Sequence, residues 1–342
     1  MEAFGAVATA PWRVEYLRVV VPDPGDEDVV VRVTHSWISN GTEGSFIRGE
    51  RIGGDTPRAA SDPLPFPHIS GYQKVGIVEK VGSKVSHVAP GDKVFATVSS
   101  VDGMFYSHAG HVSPAITHRS QVWKLPITVD PVAASGLVLT QVGYNVGTCG
   151  SINAGDLAVV IGDGMVGHWS AQTLKHRGAS VLMLGRHNDR LSRFTCDEGD
   201  RVVNTNDTDA VDAVLAWAGG PGRVQLVADT VGSIPTLDLL MPTMRRFSHI
   251  VSAGFYGSTG FIDIQRMRNY EMSLHAPSGW TTERIDSTLA LLEQGVLQTT
   301  HLITHRFPVS EAAAAFDLIL QRNAPVLGVV LDWPSAESGE VR

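Results

Sequence analysis

Apolar and polar positions follow two patterns along the chain, and the pattern changes near residue 128. Before that point, short apolar runs are separated by Gly and Pro turns, and the clearest of them lie at 28–33, 75–82 and 94–96. Short strands between regular turns are typical of small β-barrels. The first part of the chain is therefore predicted to be a β-rich domain.

Between residues 128 and 267 strand and helix patterns alternate. Apolar runs of four to six residues recur, and helically spaced segments such as 209–217 stand between them. This alternation predicts a doubly wound parallel sheet. The remaining segment, 268–342, is expected to return to the first domain. The chain is thus predicted to have an α/β fold with domains 1–127 and 128–267 and a return segment.

One glycine-rich turn stands out within the second domain. Segment 159–167 reads V-V-I-G-D-G-M-V-G, so an apolar strand runs into G-x-G-x-x-G and then into a helical pattern. Such a turn lets a pyrophosphate approach the backbone and the N-terminus of the following helix. The residues predicted to bind a dinucleotide here are Gly162, Asp163, Gly164, Met165, Val166 and Gly167.

The next apolar strand ends at Gly185, where an NAD-binding fold usually places an acidic residue for the ribose 2′-hydroxyl. The sequence there is G-R-H-N-D-R, which starts with a basic residue. Arg186 can pair with a 2′-phosphate through two parallel hydrogen bonds, and His187 and Arg190 stand beside it. We therefore predict NADP(H) as the cofactor. The alternative is that Arg186 and Arg190 are solvated loop charges.

Two further strands of this domain end in ligand-binding candidates. Ligands of parallel sheets lie at the carboxyl ends of the strands. Thr230 follows the strand at 224–229, and Gly254 and Phe255 follow the strand at 249–253. We predict that these three residues line the cofactor site, although Phe255 is equally suited to packing.

Composition narrows the class of partner. The chain has 342 residues and a formal net charge of −8, without a basic run, which disfavours nucleic acid and anionic membranes as partners. Cys149 and Cys196 are its two cysteines, too few for a disulfide framework or a cysteine-based zinc cluster. A secretory leader and a membrane-length apolar stretch are not apparent. A cytoplasmic enzyme with a small-molecule substrate is the expectation.

Several short motifs together resemble the medium-chain dehydrogenase/reductase superfamily. They are G-D-K-V at 91–94, N-A-G-D at 153–156, Leu139-Thr140 and the closing strand at 328–332. The resemblance covers nearly the whole chain. It implies a GroES-like catalytic domain, a Rossmann domain, an active-site cleft between them and frequent homodimers or homotetramers. It also implies that Thr140 lies near the nicotinamide.

The departures from this family concern the metal ligands. Zinc-dependent members carry C-G-T-D, G-H-E and a third ligand, often cysteine; here the three places read N-G-T-E at 40–43, G-Y-Q at 71–73 and S-G-L at 135–137. A catalytic zinc needs about three protein ligands. We therefore predict no metal site, with a substitute site built from Glu43 and nearby histidines as the alternative. Segment 38–43 with Gly71-Tyr72 looks most like the branch related to bacteriochlorophyllide a dehydrogenase, from which a tetrapyrrole substrate does not follow.

Without zinc, hydrogen-bond donors must polarise the substrate. Tyr72 replaces a metal ligand and is predicted to donate a hydrogen bond or proton, unless it only fills the volume of the metal. Thr42 matches the hydroxyl that relays protons in the zinc enzymes, or is a turn residue. Asn40 can orient a carbonyl through its amide, or cap the loop. Glu43 is expected to make a structural hydrogen bond.

The predicted function is a zinc-independent, NADP(H)-dependent oxidoreductase acting on a carbonyl/alcohol pair. One alternative is an NADPH-dependent reductase of an activated C=C bond, such as an enoyl or quinone substrate, which needs only hydride delivery and a proton source. A second alternative is a non-catalytic NADPH-binding or redox-sensing protein, because a retired enzyme would also lose its metal ligands.

Overall fold

The structure, a computed structural model, describes residues 1–257, 260–321 and 324–334. By internal contacts it divides into two units, one of Met1–Val138 with Thr299–Arg342 and one of Leu139–Gln298. Residues 128–138 fall in the first unit and residues 268–298 in the second, so the bounds of the second unit differ from the expected range 128–267 at both ends.

The structure begins with a part that is mostly strand. Its elements are β1 (Glu2–Ala10), β2 (Arg13–Val20), β3 (Asp28–Ile38), α1 (Asn40–Ile47), β4 (Arg51–Gly53), β5 (Thr56–Pro57), β6 (His68–Ile69), β7 (Lys74–Val81), β8 (Lys93–Ala96), β9 (Ser99–Ser100), β10 (His108–Ala109), β11 (Val112–Ser113), β12 (Ala115–His118), β13 (Val122–Lys124) and α2 (Pro131–Ala134).

The middle of the chain alternates helix and strand, as its sequence pattern predicts. Its elements are α3 (Leu137–Thr148), β14 (Leu157–Ile161), α4 (Met165–His176), β15 (Ser180–Gly185), α5 (Asn188–Leu191), β16 (Arg201–Asn204), α6 (Ala210–Ala218), β17 (Val224–Asp229), α7 (Ile234–Leu240), β18 (Met244–Ser252), α8 (Ile264–Asn269), β19 (Ser273–His275) and α9 (Thr282–Glu293). The last elements are β20 (Ile303–Pro308), α10 (Ala312–Gln321) and β21 (Gly328–Asp332).

Strand β3 is the centre of the first unit. It pairs antiparallel with β7, β12 and β21. Val29, Val31 and Val33 are fully buried and Val30 is 4% exposed, so both faces of this part of the strand are covered. Because β21 pairs with β3, the end of the chain completes the sheet begun by its first third.

The second unit holds a parallel sheet with the strand order β16-β15-β14-β17-β18-β19. Strand β14 lies inside it and faces two cores. Val159 and Ile161 pack in one apolar cluster, and Ala158 and Val160 pack in the other. Burial on both faces explains the uninterrupted apolar run in the sequence. The prediction of a doubly wound parallel sheet is confirmed.

Within the described residues, none of the helices has both the length and the apolar character needed to cross a membrane.

Candidate functional site

The start of helix α1 gathers the residues predicted to act on the substrate. Ser39 is the N-cap, and Asn40 and Thr42 lie in the first turn. The hydroxyls of Ser39 and Thr42 both hydrogen-bond with the phenol of Tyr72. The structure therefore brings Tyr72 and Thr42 together.

The environment keeps the Tyr72 phenol protonated. Burial raises the pKa of Tyr72 to about 12, and the charge of Glu43 adds to the effect, while the hydrogen bonds with Ser39 and Thr42 oppose it. A phenol with such a pKa is a hydrogen-bond donor at neutral pH rather than a base.

Asn40 is held in one orientation by the C-terminal segment. Its Nδ2 donates to the carbonyl oxygen of Leu327 at 2.6 Å. Exchanging the amide oxygen and nitrogen would set two oxygens against each other, so the orientation is fixed. Its Oδ1 is buried and accepts no hydrogen bond within the described part of the chain. A buried acceptor of this kind suits a ligand that carries a hydroxyl donor.

Glu43 is the centre of a buried polar network behind the helix start. Its carboxylate accepts hydrogen bonds from the backbone N–H of Ser39 at 2.7 Å and from the hydroxyl of Ser70 at 2.9 Å. Its Oε2 also lies 2.8 Å from Nε2 of His111, and both side chains are almost fully buried. The expected structural role of Glu43 thus extends to fixing the backbone that carries the Tyr72 partners.

The far side of His111 continues the same network. Its Nδ1 lies 2.8 Å from the hydroxyl of Ser36, which accepts from the indole N–H of Trp333 at 2.9 Å. Because the indole N–H can only donate, the Ser36 hydroxyl is free to donate its own hydrogen bond to Nδ1, and Nε2–H then donates to Glu43. Trp333, Ser36, His111 and Glu43 are then joined by hydrogen bonds, which is the condition for a stable buried network.

Gly71 is required by the space between these groups. A Cβ at residue 71 would lie 2.7 Å from Nε2 of His111 and 3.2 Å from Oε2 of Glu43, and its φ is +88°. A Cβ at Gly110 would in turn lie 2.1 Å from the carbonyl carbon of Gly71. The two glycines let the segments that carry Tyr72 and His111 cross closely.

The other positions that hold zinc ligands in the family have local structural partners. Gln73 donates to the carbonyl oxygen of Trp37 at 3.2 Å, and the hydroxyl of Ser135 donates to the carbonyl oxygen of Val132 at 2.7 Å. In residues 1–257, 260–321 and 324–334, no three His, Cys, Asp or Glu side chains are grouped so that they could hold a metal ion. The side chains that are present do not fit a catalytic zinc.

A buried lysine lies two residues after Tyr72. The ammonium of Lys74 donates to the carbonyl oxygen of Thr97 at 2.5 Å and of Ala109 at 3.4 Å, and the side chain is fully buried. Burial lowers the pKa of Lys74 to about 7. The sequence analysis did not single out this residue, although a lysine directly before the apolar run V-G-I-V was a visible signal.

The glycine-rich turn of the second unit has the space that a dinucleotide needs. Gly162 has a φ of +119°, and a Cβ at Gly167 would lie 2.1 Å from the carbonyl oxygen of Gly162. A Cβ at Gly164 would meet nothing within 4 Å, so this residue borders open space at the N-cap of α4. Met165 and Val166 open the helix, whose first N–H groups suit a phosphate. These residues fit a dinucleotide.

Asp163 gives an unexpected result at the end of β15. Its Oδ2 accepts hydrogen bonds from the backbone N–H of Arg186 and of His187, both at 2.8 Å, and lies 2.9 Å from Nδ1 of His187. Burial alone would raise the pKa of Asp163, but these hydrogen bonds lower it below its usual range. The strand is followed by a basic residue, but the glycine turn brings a carboxylate to the same place.

The basic residues beside Asp163 differ in their contacts. Nη1 of Arg190 lies 3.5 Å from Oδ1 of Asp163, and the buried Nε of Arg190 has no hydrogen-bond partner among the described residues. The Arg186 side chain is exposed. An anion at this edge would satisfy the Arg190 donor.

The other strand ends pack tightly around Asp229. This buried carboxylate accepts from the N–H groups of Val231, Gly232 and Ser233 and from the hydroxyl of Tyr256 at 2.8 Å. A Cβ at Gly254 would lie 2.0 Å from the nitrogen of Gly232.

The predicted cofactor residues beyond the turn have different surroundings. Thr230 donates its hydroxyl to the carbonyl oxygen of Ile161 at 2.8 Å, and Phe255 is 38% exposed. Both follow strands that run parallel to β14, so they share the sheet edge with the glycine turn. Thr140 is fully buried on α3.

The chain is similar to a known domain family and to known dehydrogenases. Residues 25–126 match the alcohol dehydrogenase GroES-like domain. A 2-desacetyl-2-hydroxyethyl bacteriochlorophyllide A dehydrogenase of Cereibacter sphaeroides is 25% identical over 97% of this chain and 99% of its own. An alcohol dehydrogenase of Cupriavidus necator is 24% identical over 95% and 97%.

Solved structures share the fold at low identity. An Escherichia coli oxidoreductase/dehydrogenase of unknown specificity has a TM-score of 0.84 at 18% identity and covers 98% of this chain and all of its own. A zinc-binding dehydrogenase of Sinorhizobium meliloti bound to NADP has 0.78 at 19%, covering 97% and 99%. An alcohol dehydrogenase of Escherichia coli complexed with NADH has 0.81 at 20%, also covering 97% and 99%.

These matches confirm the predicted fold class, a GroES-like domain with a Rossmann-type parallel sheet. The GroES-like match falls within the first unit, and the glycine turn lies in the second. Residues 25–126 thus match the alcohol dehydrogenase GroES-like domain family, and the similarity of the whole chain to alcohol dehydrogenases and bacteriochlorophyllide dehydrogenases supports its resemblance to the medium-chain dehydrogenase/reductase superfamily.

Proposed function

We propose that the chain is a zinc-independent, NADP(H)-dependent oxidoreductase that transfers a hydride between the nicotinamide and a small carbonyl or alcohol substrate. The observation that carries the proposal is the group at the start of α1. A protonated Tyr72 phenol, its hydroxyl partners Ser39 and Thr42, and the fixed amide of Asn40 stand where zinc enzymes of the family keep metal and relay groups.

The bound nicotinamide supplies the hydride chemistry, and the chain must bind, orient and handle the proton. Because the pKa of Tyr72 is raised to about 12, its phenol can donate to a substrate oxygen across the neutral range. As charge develops on that oxygen, the donated hydrogen bond becomes stronger and can end in proton transfer. The Thr42 and Ser39 hydroxyls hold the phenol in place.

Asn40 favours a carbonyl/alcohol pair over C=C reduction. One hydrogen of its Nδ2 goes to Leu327, whereas its buried Oδ1 accepts no hydrogen bond among the described residues, so the acceptor is the group that most needs a ligand. A hydroxyl donor satisfies that acceptor, and an alcohol substrate or product carries one at the reacting carbon. A reduced C=C bond carries none there.

The cofactor preference rests on the charges at the end of β15. Arg186 and Arg190 supply donors there, and Oδ2 of the nearby carboxylate of Asp163 already accepts three hydrogen bonds. A 2′-phosphate is the ligand that such a group of donors favours. The fold itself serves both cofactors, since its structural neighbours hold NADP or NADH.

We also propose a homodimer or homotetramer. Strand β19 ends the order of the parallel sheet, and Leu274 on it is 43% exposed. Phe247 at 64%, Ile264 at 68% and Phe261 at 79% are exposed in the same unit. Exposed large apolar side chains and a strand at the end of a sheet both favour association. Light scattering should give two or four times the chain mass, and a monomer at micromolar concentration would contradict this.

The test of the activity uses chelator-treated full-length protein, NADPH or NADH, a ketone with its alcohol, and an enone or quinone. We expect turnover of the ketone/alcohol pair with NADP(H) and no loss on chelation. Tyr72→Phe should lower kcat about 10²-fold, because one hydrogen-bond donor to the developing charge is lost. Tyr16→Phe is the control. It removes a phenol hydroxyl from a ring that stacks on Phe4, and it should keep full activity.

Three results would contradict the proposal in different ways. Loss of activity on chelation with recovery by Zn²⁺ would show a metal enzyme. Turnover of the enone or quinone alone would show a C=C reductase. Tight NADPH binding without turnover of any substrate would favour a cofactor-binding protein without catalysis.

A further inference from the structure

Asp163 lies in the middle of G-x-G-x-x-G, yet its carboxylate reaches the end of the neighbouring strand. Its side chain is 7% exposed. Residue 185 must be glycine for this to happen, since a Cβ there would lie 2.6 Å from Cβ and 2.7 Å from Oδ2 of Asp163. The contact is therefore a built feature of both segments.

The two oxygens of Asp163 have different occupants. Oδ2 holds the backbone N–H groups of Arg186 and His187 and the ring of His187. Oδ1 has one long contact, 3.5 Å, to Nη1 of Arg190. The first oxygen thus fixes the chain as it leaves β15, and the second attracts Arg190 without satisfying it.

The segment fixed by Asp163 carries Arg190. His187 is the N-cap of α5, and its carbonyl oxygen accepts from the N–H groups of Arg190 and Leu191, both at 3.0 Å. Leu191 is buried in the apolar core, and its packing there holds α5 in place. The direction of the Arg190 side chain therefore depends on where Asp163 holds residues 186 and 187.

Arg190 has a donor that the described residues leave unused. Its Nε is buried, whereas the Arg186 side chain is exposed. A buried guanidinium donor without an acceptor is costly, and an anion removes that cost. Arg190 is thus better prepared for an anion than Arg186 is.

We infer that Asp163 is a positioning residue for recognition of the 2′-phosphate, and that Arg190, rather than Arg186, is its main ligand. This rests on the proposed use of NADP(H). Asp163 acts without touching the phosphate: it orients the backbone and His187 and presents Arg190. The opposite role, in which Asp163 accepts a hydrogen bond from a free ribose 2′-hydroxyl, would favour NAD(H), and the two roles predict opposite effects of substitution.

The experiment is calorimetric titration of the full-length protein with two probes that differ by one phosphate, adenosine 2′,5′-bisphosphate and adenosine 5′-monophosphate. We expect the native protein to bind the bisphosphate more tightly. Asp163→Asn should weaken the bisphosphate roughly tenfold and change the monophosphate less than about twofold. Arg190→Met should weaken the bisphosphate roughly 10- to 100-fold, and Arg186→Met clearly less.

Asp189→Asn is the matched control. It removes a carboxylate from the neighbouring residue of α5, where Asp189 is exposed, and should change neither affinity. The unfolding temperature of each variant shows whether a loss reflects misfolding, and the ratio of the two affinities is insensitive to a general loss of active protein.

The outcomes separate the two levels of the argument. A native protein that binds both probes equally overturns the NADP(H) proposal and the role of Asp163 with it. A native preference for the bisphosphate that Asp163→Asn leaves intact overturns the role of Asp163 alone. Weaker monophosphate binding with unchanged bisphosphate binding would show that Asp163 accepts the ribose hydroxyl. Equal losses in Arg186→Met and Arg190→Met would overturn the assignment of Arg190.

Discussion

The two candidate sites of the chain are built from opposite materials. The dinucleotide turn works because side chains are missing: Gly167 packs against a backbone oxygen and Gly164 borders open space. The region around Tyr72 works because side chains are present and paired, with Glu43 and His111 at its centre. A site made of absent side chains is damaged by adding atoms, and a site made of a polar network is damaged by removing them.

The largest effect is expected from breaking the network. Glu43→Ala would leave His111, the Ser70 hydroxyl and the Ser39 N–H buried without their acceptor. Loss of one partner of a buried pair costs about 3–5 kcal/mol, so the free energy of unfolding should fall by about that amount. Urea denaturation measures it.

Glu2→Ala is the control for that change. Glu2 pairs with Arg18 at 3.4 Å on the surface, and both side chains are largely exposed. An exposed pair contributes about 0–1 kcal/mol. If the two glutamate variants were equally stable, the buried network would have no special energetic role.

The converse change is the addition of one methyl group to the glycine turn. Gly167→Ala would place a Cβ 2.1 Å from the oxygen of Gly162, a backbone atom that cannot move aside. Overpacking of this kind costs about 1–3 kcal/mol and shifts the turn, so NADPH affinity should fall at least tenfold. The Cβ of Gly164→Ala would meet no atom within 4 Å, so this variant should keep the stability of the fold and lower only the affinity for the cofactor. Equal stability losses in the two variants would contradict the assigned roles.

Lys74 makes the stability of the first unit depend on pH. Its folded pKa is about 7 and its ordinary pKa is 10.5, so between these values the unfolded chain binds more protons and stability rises with pH. The gain is at most about 1.4 kcal/mol per pH unit. From pH 7 to pH 9 the unfolding free energy of the native protein should therefore rise relative to Lys74→Met by about 2–3 kcal/mol. Parallel pH profiles of the two proteins would exclude a buried neutral amine.

The smallest effect is expected at Gly41, in the first turn of α1. A Cβ there would meet nothing within 4 Å, and its φ lies outside the left-handed region. Gly41→Ala should stabilise the protein by about 0.5–1 kcal/mol, because the unfolded chain loses freedom. Thermal unfolding measures this, and a marked destabilisation would show that the polar site has no more tolerance for added atoms than the glycine turn.

The same contrast explains how much the sequence could predict. The structure of segment 159–167 could be predicted from its sequence, because a buried strand, a glycine turn and a helix start are local patterns. Strand β14 and helix α4 agree with that prediction. Domain bounds are harder to predict: the expected range is 128–267, whereas the contact-based unit is Leu139–Gln298. Strand β19 pairs with β18, with His249 opposite Ser273, and both β19 and helix α9 fall in the second unit.

At the candidate sites, the contacts that the sequence could not predict are mainly those between residues far apart in the chain. His111 and Glu43 are 68 residues apart, and Asn40 and Leu327 are 287 residues apart, so no spacing rule connects them. Asp163 was recognised as a turn residue, but its contact with residues 186 and 187 depends on the register of β14 against β15. Tyr72 and Thr42 are predicted from the resemblance to a family, and the structure places their side chains in contact. Their residue types alone do not predict that contact.

The hydrogen bond from Asn40 to the Leu327 carbonyl has a consequence for engineering. Installing Cys, His and Cys at positions 40, 72 and 135 would supply a ligand set for zinc, but Cys at position 40 would strip the Leu327 carbonyl of its donor and release the segment leading into β21. His at position 72 would likewise leave the Ser39 and Thr42 hydroxyls without the phenol. A metal-loaded redesign therefore needs compensating changes in the C-terminal strand as well as new ligands.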